Sequence, residues 1–166
     1  MPREHDAPFR VGIGYDSHRF SRGRPLILGG VNLPSEIGLQ GHSDADAVCH
    51  AITDAILGAA GMGDIGEIFP DADPANKNRD SIGMLEAAVR RISSSGYSVN
   101  QVDVTVVTEA PRIGPYREQM HSRLATALGI DSTSVSVKGK SNEGMGWIGR
   151  GEGLACIAVA TLKWNR

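Results

Sequence analysis

Cysteine occurs only twice, at Cys49 and Cys156, too few to staple a secreted scaffold. Aromatic residues make up 5% of the chain, so the core has to be filled by aliphatic side chains. Neither sign of charge is in excess: 17 Lys and Arg stand against 19 Asp and Glu, a formal net charge of −2. No broad positive field then draws nucleic acid or anionic lipid. No run of about 18 apolar residues exists, so no segment reads as a membrane span. The opening Met1–Asp6 is polar and lacks the apolar stretch of a secretory signal. These absences predict a cytoplasmic protein with reduced thiols and neither a nucleic-acid nor a membrane partner.

What is present is a chain of 166 residues with 40% apolar and 22% charged side chains. That composition suits one folded domain of ordinary size. Residues 1–8 read as a flexible tail and 9–166 as a single domain. Glycine is plentiful, 21 of 166 residues, against a usual share of ~7%. Phe9–Tyr15 alternates as a strand, with Phe9, Val11, Ile13 and Tyr15 on one face. Pro25–Leu28 and Val31–Leu33 flank Gly29-Gly30, a hairpin signal. Asp44–Ala60, Arg79–Ser95 and Pro115–Leu128 carry apolar residues at helical spacing. Gln101–Thr108, Val135–Lys138 and Leu154–Leu162 read as strands, the last apolar on both faces. The order predicts an α+β fold, a mixed β-sheet covered on one face by helices. The uncovered sheet face then needs a partner, so an oligomer is expected.

Three of the five histidines keep company that suits a metal ion. Asp16 and His18 are two apart on extended chain, so both point to the same side. His42 precedes the first helix and His50 lies within it. Two imidazoles and one carboxylate form a catalytic zinc set that leaves a fourth position open. The alternative is a group of polar loop residues and a helix-surface histidine. Asp46, His50 and Asp54 step by four and predict one polar stripe, whose usual fate is a solvated face. Ser43 and Asp46 fit a capping box.

Lys138–Gly153 is rich in glycine and carries Lys138, Lys140, Glu143, Arg150 and Glu152. Gly139-Lys140-Ser141 ends like a phosphate loop but lacks the preceding glycine and the following helix. The glycine string at 144, 146 and 149 precedes a strand, which excludes a Rossmann fingerprint. What remains is a segment whose backbone N–H groups and lysines suit anionic oxygens, with Glu143 able to hold a divalent cation against them. A charged hairpin tip is the plainer reading. Asp64–Gly66 and Phe69–Asp73 form an acidic loop suited to the hydroxyls of a polyol, or simply an aspartate-rich turn. Cys49 is assigned to the core, Trp147 to a site wall, and His5 and His121 to no role.

Taken together, Asp16-Ser-His18, Gly41-His-Ser-Asp-Ala-Asp46 with His50, Asp64-Ile-Gly66, Phe69-Pro-Asp71, Ala110-Pro111 and Gly149-Arg-Gly-Glu-Gly153 resemble the 2-C-methyl-D-erythritol 2,4-cyclodiphosphate synthase family. The likeness runs from about Phe9 to Leu162, with the motifs in the family's order and spacing. It implies a homotrimer whose sheets face the threefold axis, with active sites between subunits. It implies the substrate 4-diphosphocytidyl-2-C-methyl-D-erythritol 2-phosphate, closed into a cyclic diphosphate with loss of CMP.

By that resemblance Asp16, His18 and His50 match zinc ligands, and Glu143 the ligand of a second divalent cation, Mg2+ or Mn2+. His42 and Ser141 match residues of transition-state stabilisation. His42, Ser43, Asp64, Ile65, Gly66, Phe69, Asp71 and Asp73 match the segments around the methylerythritol part, and Asp16 and His18 match substrate contacts as well. Thr108–Gly114, with Ala110, Pro111 and Arg112, and Gly139–Glu143, with Gly139, Lys140, Ser141 and Glu143, match contacts to the cytidine and diphosphate, and Trp147 and Arg150 further ones. Lys140-Ser141-Asn142 stands where some members have threonines, Arg112 where lysine is frequent, and Trp147 where phenylalanine is. Two other functions are compatible with the same residues. One is a zinc-dependent nucleotide-diphosphate hydrolase. The other is a non-catalytic trimer binding an isoprenoid diphosphate in a central cavity.

Overall fold

The computed structural model describes residues 9–165; the expected tail, with His5, lies outside the described residues. A five-stranded mixed sheet runs in the order β4-β1-β7-β5-β6. Its members are β1 (Phe9–Arg22), β4 (Ile37–Leu39), β5 (Tyr97–Val107), β6 (Val135–Lys140) and β7 (Gly153–Trp164). β2 (Leu26–Leu28) and β3 (Val31–Leu33) pair as the small hairpin expected from Gly29-Gly30. The helices are α1 (Ala47–Ala60), α2 (Ile65–Ile68), α3 (Ser81–Ser94), α4 (Arg117–Leu128) and α5 (Gly146–Gly149). The mixed α+β architecture is as expected; β4 and the one-turn helices α2 and α5 add to it.

β7 runs antiparallel to both β1 and β5, and β5 runs parallel to β6. The C-terminal ends of β1, β5 and β6 therefore lie on one edge of the sheet, where β7 begins. The ends of the predicted strands shift because ladder partners extend them. β1 runs seven residues past Tyr15, paired with β7 as far as Arg19 and with β4 from Phe20 to Arg22. Asp16 and His18 consequently lie inside β1, not after it.

The alternating row of β1 has an unexpected sense. Phe9, Val11, Ile13 and Tyr15 are exposed by 54–70%, and the glycine row faces the helices instead. A Cβ at Gly12 or Gly14 would overlap the backbone of α1 at Ala55 or Ala51. Glycine here lets helix and strand approach backbone to backbone. Ile157 and Val159 of β7 stand beside Tyr15 and Ile13 and are 41% and 40% exposed. The helix-facing residues of β7, Leu154, Cys156, Ala158, Ala160 and Leu162, are fully buried. The core is aliphatic, with Ile52, Ile56, Leu85, Ile92, Val104 and Leu124 sealed from solvent.

Helix starts also move. α1 begins at Ala47 because Asp46 is its N-cap, accepting the N–H of Val48 and Cys49. No Ser43–Asp46 capping box forms. Asp80 caps α3 in the same way, and Pro115 lies in a 3-10 turn before α4.

Candidate active site

The row of β1 that carries Gly12 and Gly14 continues into Asp16 and His18, so two ligand-type side chains emerge beside α1. Extended-chain parity brings both to the same side, as expected. α1 supplies His50 one turn past its cap. Asp16 Oδ2 lies 2.8 Å from His18 Nε2 and 3.0 Å from His50 Nδ1, and the two ring nitrogens are 3.3 Å apart. Around a tetrahedral ion with bonds of ~2.0–2.1 Å, ligand atoms are separated by ~3.3–3.4 Å. The three side chains fit a divalent metal.

Electrostatics agree with that arrangement. Burial opposes ionisation of Asp16, yet hydrogen bonds and attraction from His18 and His50 hold its carboxyl below the usual value. Burial disfavours the His18 cation, and Asp16 outweighs it, so His18 is pushed up. His18 Nδ1 meets the Gln40 carbonyl at 2.7 Å. A carbonyl only accepts, which fixes the proton on Nδ1 and leaves the Nε2 lone pair facing inward.

The expected stripe of Asp46, His50 and Asp54 does not exist as such. Asp46 is fully buried because the N-cap backbone leaves the helical path, and its oxygens accept Gly29 and Gly30 N–H at 2.9 and 2.7 Å. Cys49, a core residue as expected, donates its thiol to Asp46 at 3.2 Å. Asp54 accepts the Ile65 N–H at 2.8 Å and so ties the acidic loop to α1.

A cavity of about 320 Å³ opens over the three ligand-type residues and is lined also by His42, Ser43, Ile65, Gly66, Phe69 and Asp71. Asp64 caps α2 through the Glu67 N–H, and Asp73 accepts the Ala75 N–H; both hold the loop in shape. The Arg79 guanidinium lies 4.6 Å over the Phe69 ring. Arg24 donates to the carbonyls of Gly41 and Ser43, which brackets His42.

The remaining residues gather elsewhere on the same sheet edge. Pro111, Arg112, Gly139, Lys140 and Ser141 line a cavity of about 510 Å³ with Thr108 and Glu109; the Ala110–Pro111 peptide is cis. Lys138 is engaged by Asp103 at 2.6 Å, whereas Lys140, at the end of β6, has no carboxylate partner among the described residues. Ser141 Oγ donates to Glu143 Oε1 at 3.1 Å. Glu109, within the expected segment 108–114 but given no role of its own there, accepts the Asn142 N–H at 2.8 Å and shapes that turn. Trp147 lines a third hollow with His18 and Glu152, and Arg150 pairs with Glu152 at 2.6 Å. Three strand spacings separate β1 from β6, roughly 14 Å, so one chain keeps its imidazole cluster and its lysine-bearing turn apart.

Sequence reasoning also missed Ser81, which lies 2.9 Å from His50 Nε2. Its only sequence signal is an Asp-Ser pair at the start of a helix. Asn76 and Met84, further walls of the ligand cavity, had none.

This sheet, with its helices on one side and its imidazole–carboxylate cluster on one edge, is that of a known family. The YgbB family profile matches residues 9–163, and the chain belongs to that family. The 2-C-methyl-D-erythritol 2,4-cyclodiphosphate synthase of Gemmatimonas aurantiaca is 63% identical over 153 residues, 92% of each chain. The bifunctional IspDF from Campylobacter jejuni superposes with a TM-score of 0.91 at 39% identity, over 94% of this chain and 42% of that longer one. IspF of Plasmodium falciparum, solved as a CDP complex, gives 0.84 at 33% identity, over 97% and 100% of the two chains. The resemblance carried by the motifs is borne out.

Proposed function

We infer that this chain converts 4-diphosphocytidyl-2-C-methyl-D-erythritol 2-phosphate into 2-C-methyl-D-erythritol 2,4-cyclodiphosphate and CMP, a step of non-mevalonate isoprenoid synthesis. It is a cyclizing phosphorus–oxygen lyase. The observation that carries this is the convergence of Asp16, His18 and His50 on one point in a chain so close to a protein named for that reaction. An oxygen of the substrate's 2-phosphate attacks the β-phosphorus of its own diphosphate; the bond to the bridging oxygen breaks, and that oxygen leaves with CMP. The nucleophile belongs to the substrate, so the protein's task is to fold it until the two phosphates meet in line.

Asp16, His18 and His50 are read as zinc ligands and Glu143 as ligand of a second cation, Mg2+ or Mn2+. Divalent ions in these places would offset the repulsion between the approaching phosphates. Lys140 adds positive charge at the diphosphate. His42 and Ser141 are assigned to stabilising the transition state, one from each cavity. Ser43, Asp64–Gly66 and Phe69–Asp73 are assigned to the methylerythritol part. Ala110–Arg112 and Gly139–Glu143 are assigned to the nucleotide, a reading supported by the CDP bound to the Plasmodium falciparum relative. Trp147 and Arg150 complete the contacts.

A homotrimer with sites between subunits follows the family resemblance. It is supported by the exposed apolar row of β1 and by the separation of the two cavities, which neighbouring copies could bring together. An isoprenoid diphosphate in the central cavity remains part of this proposal, with Arg150 at its rim. The cytoplasm is the proposed location, in keeping with the free, buried thiols of Cys49 and Cys156.

Mass analysis of the product in 18O-water tests the reaction. A cyclic diphosphate without solvent oxygen is expected, together with CMP. A linear product carrying 18O would replace the synthase with the hydrolase, and binding without turnover would leave only the isoprenoid-binding trimer; the family matches favour neither.

A further inference from the structure

The two imidazoles of the cluster are oriented by different means. His18 has a backbone carbonyl on its outer nitrogen, which permits one tautomer. His50 has no such partner. Its Nδ1 faces Asp16 and His18, so a metal there requires the proton on Nε2. That nitrogen lies 2.9 Å from Ser81 Oγ and 3.1 Å from Ser43 Oγ. A hydroxyl can donate or accept. If either serine donated to Nε2, the proton would be driven onto Nδ1 and the ligand lone pair lost.

Asp44 resolves the ambiguity. Ser81 Oγ donates to Asp44 Oδ1. Asp44 cannot swing away, because its Oδ2 accepts the Ser81 N–H at 3.0 Å and its Oδ1 the Asp46 N–H at 3.1 Å. With its only proton committed to a carboxylate, Ser81 offers His50 lone pairs alone. Ser81 is fully buried, so water does not compete. Ser43 Oγ already accepts the Ala45 N–H at 3.1 Å, and among the described residues no carboxylate takes its proton.

We propose, on the reading of Asp16, His18 and His50 as metal ligands, that Ser81 and Asp44 are positioning residues which hold the His50 proton on Nε2 and so present Nδ1 to the ion. The connection spans three elements, from the start of α3 through the loop before α1 to α1 itself. It makes α3 part of the metal centre although it contributes no ligand.

The test is zinc affinity of the full chain, read by competition with a chromophoric chelator. Outer partners of ligating histidines are worth about 10–100-fold in metal affinity. Ser81→Ala and Asp44→Asn are expected to weaken zinc binding by that factor, while Ser81→Thr, which keeps the hydroxyl, stays near wild type. In the zinc-loaded protein the His50 Nε2 proton is expected as a slowly exchanging downfield NMR resonance that Ser81→Ala loses and Ser81→Thr retains. Wild-type affinity in Ser81→Ala, or persistence of that resonance, would assign the acceptor role to Ser43 and overturn the proposal. So would a loss in Ser81→Thr as large as in Ser81→Ala. Asp44→Asn carries the test should Ser81→Ala not fold. A wild-type chain that bound no zinc would fail differently, by removing the metal reading itself.

Discussion

In the Asp16–His18–His50 corner the side chains are 12–24% exposed, and each ring nitrogen meets a protein partner. At the other end of the same edge, the turn that begins at Lys140 is held mainly by backbone contacts and by Glu109, and its far side returns toward His18 through Trp147 and Glu152. Arg150 is 64% exposed, and its pairing with Glu152 is worth little in solvent. One region is assembled before any ligand arrives; the other presents charge on glycine-hinged backbone. Prepositioned imidazoles suit a small ion that tolerates little misplacement. Exposed charges on the surface suit the larger, polar nucleotide proposed for that region. On the function proposed above, a single chain therefore contains a finished half-site and an open one.

The largest effect that tests this contrast comes from emptying the finished half. His50→Ala or Asp16→Ala is expected to lower CMP release about a thousandfold or more, with zinc lost by elemental analysis. Full turnover by a metal-stripped His50→Ala protein would end the division of labour. A fourfold effect follows if neighbouring copies complete each site. Two inactive variants, His50→Ala and Lys140→Ala, co-refolded in equal amounts should regain about a quarter of wild-type activity, since random mixing leaves that share of sites intact. No regain would place both halves within one chain.

The smallest effect concerns pH. Because burial fails to offset the pull of Asp16, His18 holds its proton above the ordinary value of 6.5. Protons compete with metal for that ring, so zinc retained on dialysis should fall as pH drops through this raised value. In the metal-free chain the sign reverses: charged His18 stabilises the fold below pH 6.5, and the contribution is lost as pH rises through the folded value. Zinc retention indifferent to pH between 8 and 5 would break the assignment of His18.

Much of the imidazole corner was legible because parity along an extended chain survives an error in where the strand ends. Asp16 and His18 share a side whether β1 stops at Tyr15 or at Arg22. The polar stripe failed for a local reason. Asp46 obeys i+4 spacing with His50, but an N-cap has non-helical dihedrals, φ −70° and ψ 91°, which turn its carboxylate toward the hairpin. Ser81 was invisible because 31 residues separate it from His50 and nothing local marks a serine as a tautomer selector. Alternation in β1 revealed two faces but not which one points inward. Large apolar residues ordinarily do; here the need for α1 to approach closely gave the inner face to glycine.

That glycine row has a consequence for redesign. Helix and strand touch through main-chain atoms at Gly12 and Gly14, so the gauge between the Asp16–His18 pair and His50 is set by the thickness of two bare backbones. Swapping donor residues to suit a larger ion leaves that gauge unchanged. A single methyl at position 14 would pry the clamp open from behind while every jaw stayed in place.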